Sequence, residues 1–429
     1  MNHNIFRNLV AMAAFACGLA QAPAIGSSGT TTNALTLDAA IEMALAQNPD
    51  LRAMASRVDA AAGRALQSKL WSNPELELSA EEWPVSNGRG FSDAKQTIGV
   101  AQTLPYPGKK SLDRGIGRAG VSLSEAELSL RRVELIRDVR VAYIQVLAAE
   151  GFVETAGQLV TVAESSADTA RKRVDAGATS DQEQLRAEIQ WEQAKTDLVD
   201  FERELVALQQ GFATLLGQPD LRDAQLSGVL AESANATLLD QVPEQWLAAH
   251  PSWLAARAAR DQAELELRRA RIEPYPDVEV GVAGGRLGET DESIVEFHVA
   301  LPLPIFDRAS GKKQEAGANV AIADAELASI EQRLRSEWNT ASQRYRAAIA
   351  QAANYRERIL PKADKALELV RGGFEQGKFD FIDLLDTQRT TAEARLAYQQ
   401  KLLELNVAQA ELEAFVAQSA RESSVPQRK

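Results

Sequence analysis

The chain repeats itself once, at a spacing near 200 residues, so whatever it builds is built twice. Leu45, Pro49 and Leu51 answer Leu247, Pro251 and Trp253 at an offset of 202. The same offset carries Pro74-Glu75-Leu76-Glu77-Leu78 onto Pro276-Asp277-Val278-Glu279-Val280. Leu104-Pro105-Tyr106-Pro107 answers Leu301-Pro302-Leu303-Pro304 at 197, and Gly177 with Leu185 answers Gly377 with Leu385 at 200. The changing offset puts insertions and deletions in loops.

Within each half the hydrophobic period changes from helical to alternating and back. In the first, Asp38 reads as the N-cap of a helical segment running to Leu70, which Trp71 to Pro74 ends. Glu75 to Trp83 then alternates, with Leu76, Leu78 and Ala80 on one face and Glu75, Glu77, Ser79 and Glu81 on the other. A turn containing Pro84, Asn87, Gly88 and Gly90 leads to a second strand, Gln96 to Leu104. In the other half Val278, Val280 and Val282 alternate with Asp277, Glu279 and Gly281. After Arg286 to Ser293, Val295, Phe297, Val299 and Leu301 alternate with Glu296, His298 and Ala300.

A long helical stretch follows each hairpin, Lys109 to Ala176 and Gly311 to Gln376. At 1.5 Å per residue each makes a rod of about 100 Å. Segments 38–70 and 181–216, stacked end to end, match that length. The expected fold is mainly α with a small β part, as two tandem repeats of helix, β-hairpin and long helix. The repeats occupy 25–218 (hairpin 75–104) and 219–420 (hairpin 277–301), and 421–429 form a polar tail.

Residues 1–37 contain no acid, and Arg7 precedes the apolar run Leu9 to Ala20, which is too short to span a membrane but suits a signal peptide. Cleavage after Ala22 would leave Pro23 first, so cleavage after Ala24 is favoured, giving a leader over 1–24. Cys17, between Ala16 and Gly18, has a second reading as a lipidated N-terminus, against which bulky Phe15 argues. Beyond the leader no apolar run approaches the ~18 residues of a spanning helix. A membrane role must then use strands or an anchor.

A net charge of −13 argues against nucleic acid as partner. Three His and one Cys are too few for a His/Cys metal cluster or a disulfide framework, so no metal site is expected. No nucleophile-base-acid order or phosphate loop is present either, and neither enzyme activity nor a cofactor is expected. Four strands cannot close a membrane barrel, since the smallest need about eight, so closure would take several copies. Trp71, Tyr106, Tyr275 and Phe306 flank one end of the strands and Trp83 and Phe91 the other, as interfacial girdles do. A soluble hairpin with one wet face alternates in the same way. Export, repetition and the aromatic flanks favour the barrel.

The leader, the twofold plan, the Asn48-Pro49-Asp50-Leu51 turn, Asn73-Pro74-Glu75-Leu76, Leu104 to Lys110 and Gly377 to Gln388 together resemble the TolC-type outer membrane efflux family. The likeness covers essentially the whole mature chain and rests on order and spacing. Pro107-Gly108-Lys109-Lys110 is most similar to the heavy-metal (CzcC-like) branch. The resemblance implies a homotrimer whose twelve-stranded barrel sits in outer-membrane lipid and continues as a helical cylinder through the periplasm. It also implies passive conduction, of heavy-metal cations, as the exit duct of a tripartite system with a periplasmic adaptor and an inner-membrane RND-type transporter. A multidrug or protein-secretion duct would differ only in its partner. A periplasmic coiled-coil adaptor or scaffold is the rival from another class, and would carry one hairpin with intervening β-domains.

Gly177 and Gly377 lie where each long helix turns back, as left-handed C-caps. By resemblance these turns meet the adaptor, through Arg173, Asp175, Gly177, Thr179, Glu375, Gly377 and Lys378. Asp383 and Asp386, three apart on one helix face, match the family's carboxylate ring at the channel entrance; Glu183 and Arg186 take the equivalent places in the first half. Phe379 and Phe374 stand where the family's Arg and Tyr lock would be, so by resemblance that lock is absent or replaced by apolar gate packing. Glu75, Glu77, Glu81, Asp277, Glu279 and Glu296 share the wet face and would line a negative barrel lumen. His250 and His298 read as isolated and structural.

Overall fold

A computed structural model describes residues 34–82, 91, 94–233, 235–240 and 243–422. The expected leader with Cys17, the first hairpin's turn with Trp83, and residues 423–429 of the tail lie outside the described residues.

The first helix begins at Thr36, whose hydroxyl accepts from the Ala39 N–H at 3.3 Å, and Asp38 falls in its first turn rather than at the cap. This helix, α1 (Leu37–Gln47), stops where one helix to Leu70 was expected. Pro49 has no N–H to continue the ladder, and the Asn48 side chain accepts from the Leu51 N–H at 3.1 Å to open α2 (Pro49–Lys69) instead. The second half makes the same break with a different residue. After α5 (Pro243–Trp246), the imidazole of buried His250 accepts at Nδ1 from the Ser252 N–H at 3.2 Å and opens α6 (Pro251–Arg271).

Between α2 and the long rods lie β1 (Glu75–Glu81) and β2 (Lys95–Leu104), and after α6 come β3 (Val278–Leu287) and β4 (Glu292–Ala300). They form one antiparallel sheet in the order β1-β2-β3-β4. The two repeats join at its centre, where β2 pairs with β3 from Lys95↔Leu287 to Leu104↔Val278. The second turn is tighter than the expected 286–293, with Asp291 in the left-handed region at φ 64°.

The first rod, α3 (Lys109–Asp175), is a single helix of 67 residues, about 100 Å long. α4 (Asp181–Leu216) returns beside it and meets the α1–α2 junction end to end. Gly217 has φ 70° there, and a Cβ on it would lie 2.7 Å from the Gln47 carbonyl oxygen. The Asn48 amide also donates to the Leu215 carbonyl at 3.0 Å, which pins the stack. The second rod is broken, against expectation, into α7 (Ser310–Asn354), a wide π turn over Tyr355–Ile359, and α8 (Leu360–Glu375). Pro361 cannot donate to the carbonyl four residues back, and the wider turn absorbs that missing bond. α9 (Phe381–Glu422) returns along α7, α8 and α3.

Burial follows the repeat. Ile41, Val139, Tyr143, Phe212 and Leu216 form one core, and Trp246, Trp338, Tyr345, Leu405 and Leu412 its counterpart. The Tyr143 hydroxyl sits 2.8 Å from the Leu35 carbonyl and 2.5 Å from that of Ser227. Tyr345, at the repeat-equivalent place, lies 3.3 Å from the Asn235 carbonyl. Each tyrosine thus fastens an incoming linker to the middle of a rod. Contrary to the sequence reading, α3 does hold a stretch long and apolar enough to span a membrane by length and composition. Its Val139, Tyr143 and Val146 pack against α1 and α4 instead.

Candidate functional site

The sheet has two chemically opposite faces. Strand register lines up Leu76, Val100, Val282 and Phe297 across all four strands, with Leu78 beside Ile98 and Val280 beside Val299. This apolar face is uncovered: Phe297 is 81% and Leu78 73% exposed. β1 and β4 are edges, each with a row of backbone groups that no other strand among the described residues pairs. Trp71, Tyr275 and Phe306 stand exposed at the end nearer the rods, where Tyr106 stacks on Tyr275 at 4.7 Å; Phe91 is exposed at the other end.

The opposite face carries Glu75, Glu77, Ser79 and Glu81 on β1 and Glu279, Glu296 and His298 on β3 and β4, with small residues between. Gly99 faces Ala283 so closely that a Cβ on the glycine would lie 2.7 Å from the alanine methyl. Of the six carboxylates expected to line a lumen, three are ion-paired, sharing two ammonium groups between them. The Lys95 ammonium bridges Glu296 and Glu81, the latter at 3.3 Å. Asp277 precedes β3 rather than lying in it, and accepts from the Tyr106 N–H at 2.7 Å and the buried Lys109 ammonium at 2.9 Å. It clamps the start of α3 to the sheet. Among the described residues no Lys or Arg pairs with Glu75, Glu77 or Glu279.

His298 is not isolated, as the sequence suggested. Its Nε2 lies 3.3 Å from Glu279 Oε1 and its Nδ1 3.9 Å from Glu77 Oε2, although Glu77 is on the opposite edge strand. The signal was the pair Gly99 and Gly281 on the wet face, which lets long side chains from the two edges meet over the middle strands.

At the far end of the rods, the two turns are copies. Gly177 (φ 65°) and Gly377 (φ 69°) take the left-handed conformation that ends a helix. The Ala178 N–H donates to the Arg173 carbonyl, and the Lys378 N–H to the Gly373 carbonyl, both at 2.8 Å. Ala167, Ala170, Ala187, Phe381, Leu384 and Leu385 pack the turns together. The half-buried Arg173 guanidinium lies 4.8 Å over the Phe374 ring, which in turn packs on Phe381. Phe379 lies on Gly373, where a Cβ would meet its ring at 2.2 Å. Asp175, Gly177, Glu375, Gly377 and Lys378 remain exposed.

Asp383 and Asp386 are exposed on one face of α9, with Asp383 accepting from the Asp380 N–H at 3.2 Å. Glu183 differs, because its carboxylate takes the Thr179 hydroxyl at the start of α4. Thr179 and Glu183 therefore hold the first turn to its helix, and of the three acids expected at the entrance the two exposed ones belong to the second.

A sheet with an uncovered apolar face and a wet face, carried on rods of about 100 Å, has the two surfaces that the wall of a membrane channel requires. Residues 40–218 and 242–418 each match the outer membrane efflux protein family, and the chain belongs to it. It is 28% identical to the cobalt-zinc-cadmium resistance protein CzcC of Cupriavidus metallidurans, over 85% of each chain. With the nickel and cobalt resistance protein CnrC of the same organism it shares 26% identity, over 73% of this chain and 72% of that one. The fold matches the outer membrane protein VceC of Vibrio cholerae with a TM-score of 0.73 at 20% identity, over 89% of this chain and 95% of that one. The protein is thus an outer-membrane efflux channel component whose helices reach into the periplasm.

Proposed function

We propose that three copies close into a twelve-stranded outer-membrane barrel continued by a periplasmic helical cylinder, the passive exit duct of a tripartite RND-type system. The observation that carries this is the sheet itself, with two edges that no strand among the described residues pairs and an uncovered apolar face. Pairing β4 of one copy with β1 of the next removes the edges, and lipid covers the face. Each repeat, 25–218 and 219–420 after a leader over 1–24, supplies one hairpin and one rod with its stacked partners. The cargo is divalent transition-metal cations: the relatives are named for cobalt, zinc, cadmium and nickel resistance. The unpaired wall acids Glu75, Glu77 and Glu279 suit cation passage. The exposed turns around Gly177 and Gly377 meet a periplasmic adaptor, which links them to the inner-membrane transporter, and Phe374 and Phe379 pack the gate.

Fractionation and mass in mild detergent test the assembly. The expected result is an outer-membrane particle of about three chains; a soluble periplasmic monomer would leave the scaffold reading. Growth of a deletion strain tests the cargo: cobalt, zinc and cadmium should become more toxic, whereas sensitivity to organic toxicants alone would indicate a multidrug duct. At the entrance, Asp383→Asn with Asp386→Asn removes six charges from a trimer. In planar bilayers this variant is expected to lower cation selectivity and weaken block by a trivalent cation at least tenfold. Unchanged selectivity and block would leave the two aspartates as an ordinary solvated face.

A further inference from the structure

We infer that each chain carries a transition-metal site on the wet face of its sheet, formed by His298, Glu279 and Glu77. The three residues come from β4, β3 and β1, and one ligand atom from each lies within 4.8 Å of the other two. An imidazole with two carboxylates is a donor set for first-row divalent cations such as Zn²⁺, Co²⁺, Ni²⁺ and Cu²⁺ rather than for Mg²⁺ or Ca²⁺. Metal-ligand distances of about 2.0–2.2 Å call for donor atoms somewhat over 3 Å apart. The Nε2–Glu279 pair already has that spacing at 3.3 Å; the 3.9 Å contact of Glu77 is to the other ring nitrogen, Nδ1, so the Glu77 carboxylate must turn toward Nε2 to join the same ion.

The backbone prepares the place for this ring. A Cβ on Gly281 would lie 2.1 Å from His298 Cε1, so the imidazole rests directly on the glycine and any side chain there would displace it. Gly281 also pairs with His298 across the β3–β4 ladder, while Gly99 and Ala101 leave the path to β1 low. The nearest cation on the same face, Lys95, is engaged by Glu81 and Glu296 and does not compete for Glu77 or Glu279.

The side chains of His298, Glu77 and Glu279 are 39%, 42% and 41% exposed, so water completes the coordination shell. Such a half-wet site binds modestly and releases, as a stopping point on a conduction path must. Its place inside a lumen rests on the duct reading, where a trimer would carry three sites at one level. The coordination itself is a property of one chain.

Copper(II) is the probe, since it binds such donors most tightly among these ions. Untagged protein purified in detergent is titrated with copper and followed by electron paramagnetic resonance. The other histidine among the described residues is His250, which is buried and already caps α6, so imidazole nitrogen coupling reports His298. About one copper per chain with that coupling is expected. His298→Gln should abolish the coupling, and Glu279→Gln and Gly281→Ala should each weaken binding at least tenfold, the last without removing a ligand. Absence of imidazole coupling in the parent protein, or its survival in His298→Gln, overturns the site. Variants are compared at equal particle mass, and should one fail to assemble the other two decide. A metal-tolerance phenotype that is absent while copper still binds would overturn the cargo and leave the site standing.

Discussion

Phe297→Arg is expected to remove most of the protein from the outer membrane. Phe297 sits opposite Val282 in the body of the sheet, on the face where Leu76, Val100 and Val282 complete an apolar row. Arginine on the lipid side of a barrel costs about 2–4 kcal/mol at the membrane midplane. A trimer carries the substitution three times, so the cost becomes comparable with the whole stability of an ordinary domain, about 5–15 kcal/mol. Outer-membrane recovery should fall at least tenfold, measured by fractionation and immunoblot. Glu75→Arg is the control, since it places the same charge on the wet face of β1. It should insert normally and lower cation selectivity. Equal recovery of both variants would mean that the apolar face does not meet lipid.

What the sequence told in advance and what it withheld divide by range. Period-two alternation is a local signal, and it placed Leu76 against Glu77 and Val280 against Glu279 on the correct faces. The turn glycines at 177 and 377 were equally legible, because a helix that reverses needs a left-handed residue at that point. Asn48-Pro49 and Pro361 are also local, but the hydrophobic period runs unbroken through both, so period alone hid one break and one π turn. Ion pairs are different. Lys95 reaches Glu296 from another repeat, and Lys109 reaches Asp277 across 168 positions. Nothing near either lysine announces its partner, and counting carboxylates on the alternating strands therefore overstated the free negative charge. His298 illustrates the same limit: its contact with Glu77 depends on strand order, register and the absence of side chains at Gly99 and Gly281 together. The second half alone gives His298 only Glu279 as a partner, and joining the halves adds Glu77.

The repeat also predicts where the two halves respond differently to acid. Asn48 and His250 do the same work 202 positions apart, each capping a helix that begins with proline, but only the histidine titrates. Burial among Trp246 and Phe415, reinforced by the charge of Arg333, pushes the His250 imidazole down to about 4. Its ordinary value in the unfolded chain is about 6.5. Between these values the unfolded chain binds a proton that the folded chain refuses. Stability therefore rises with pH across this window, is fully present above about 6.5, and is lost as pH falls toward 4. The loss is on the order of 3 kcal/mol per chain. His250→Asn installs the first half's own cap, which can accept the Ser252 N–H and cannot be protonated. Thermal unfolding of the detergent-solubilised protein should show the variant losing less stability than the parent between pH 6.5 and 4, while the two differ little in slope above pH 7. Carboxylates titrate in the same range in both proteins and cancel in the difference. Parallel curves would show that His250 is protonated as readily in the folded protein as in the unfolded one.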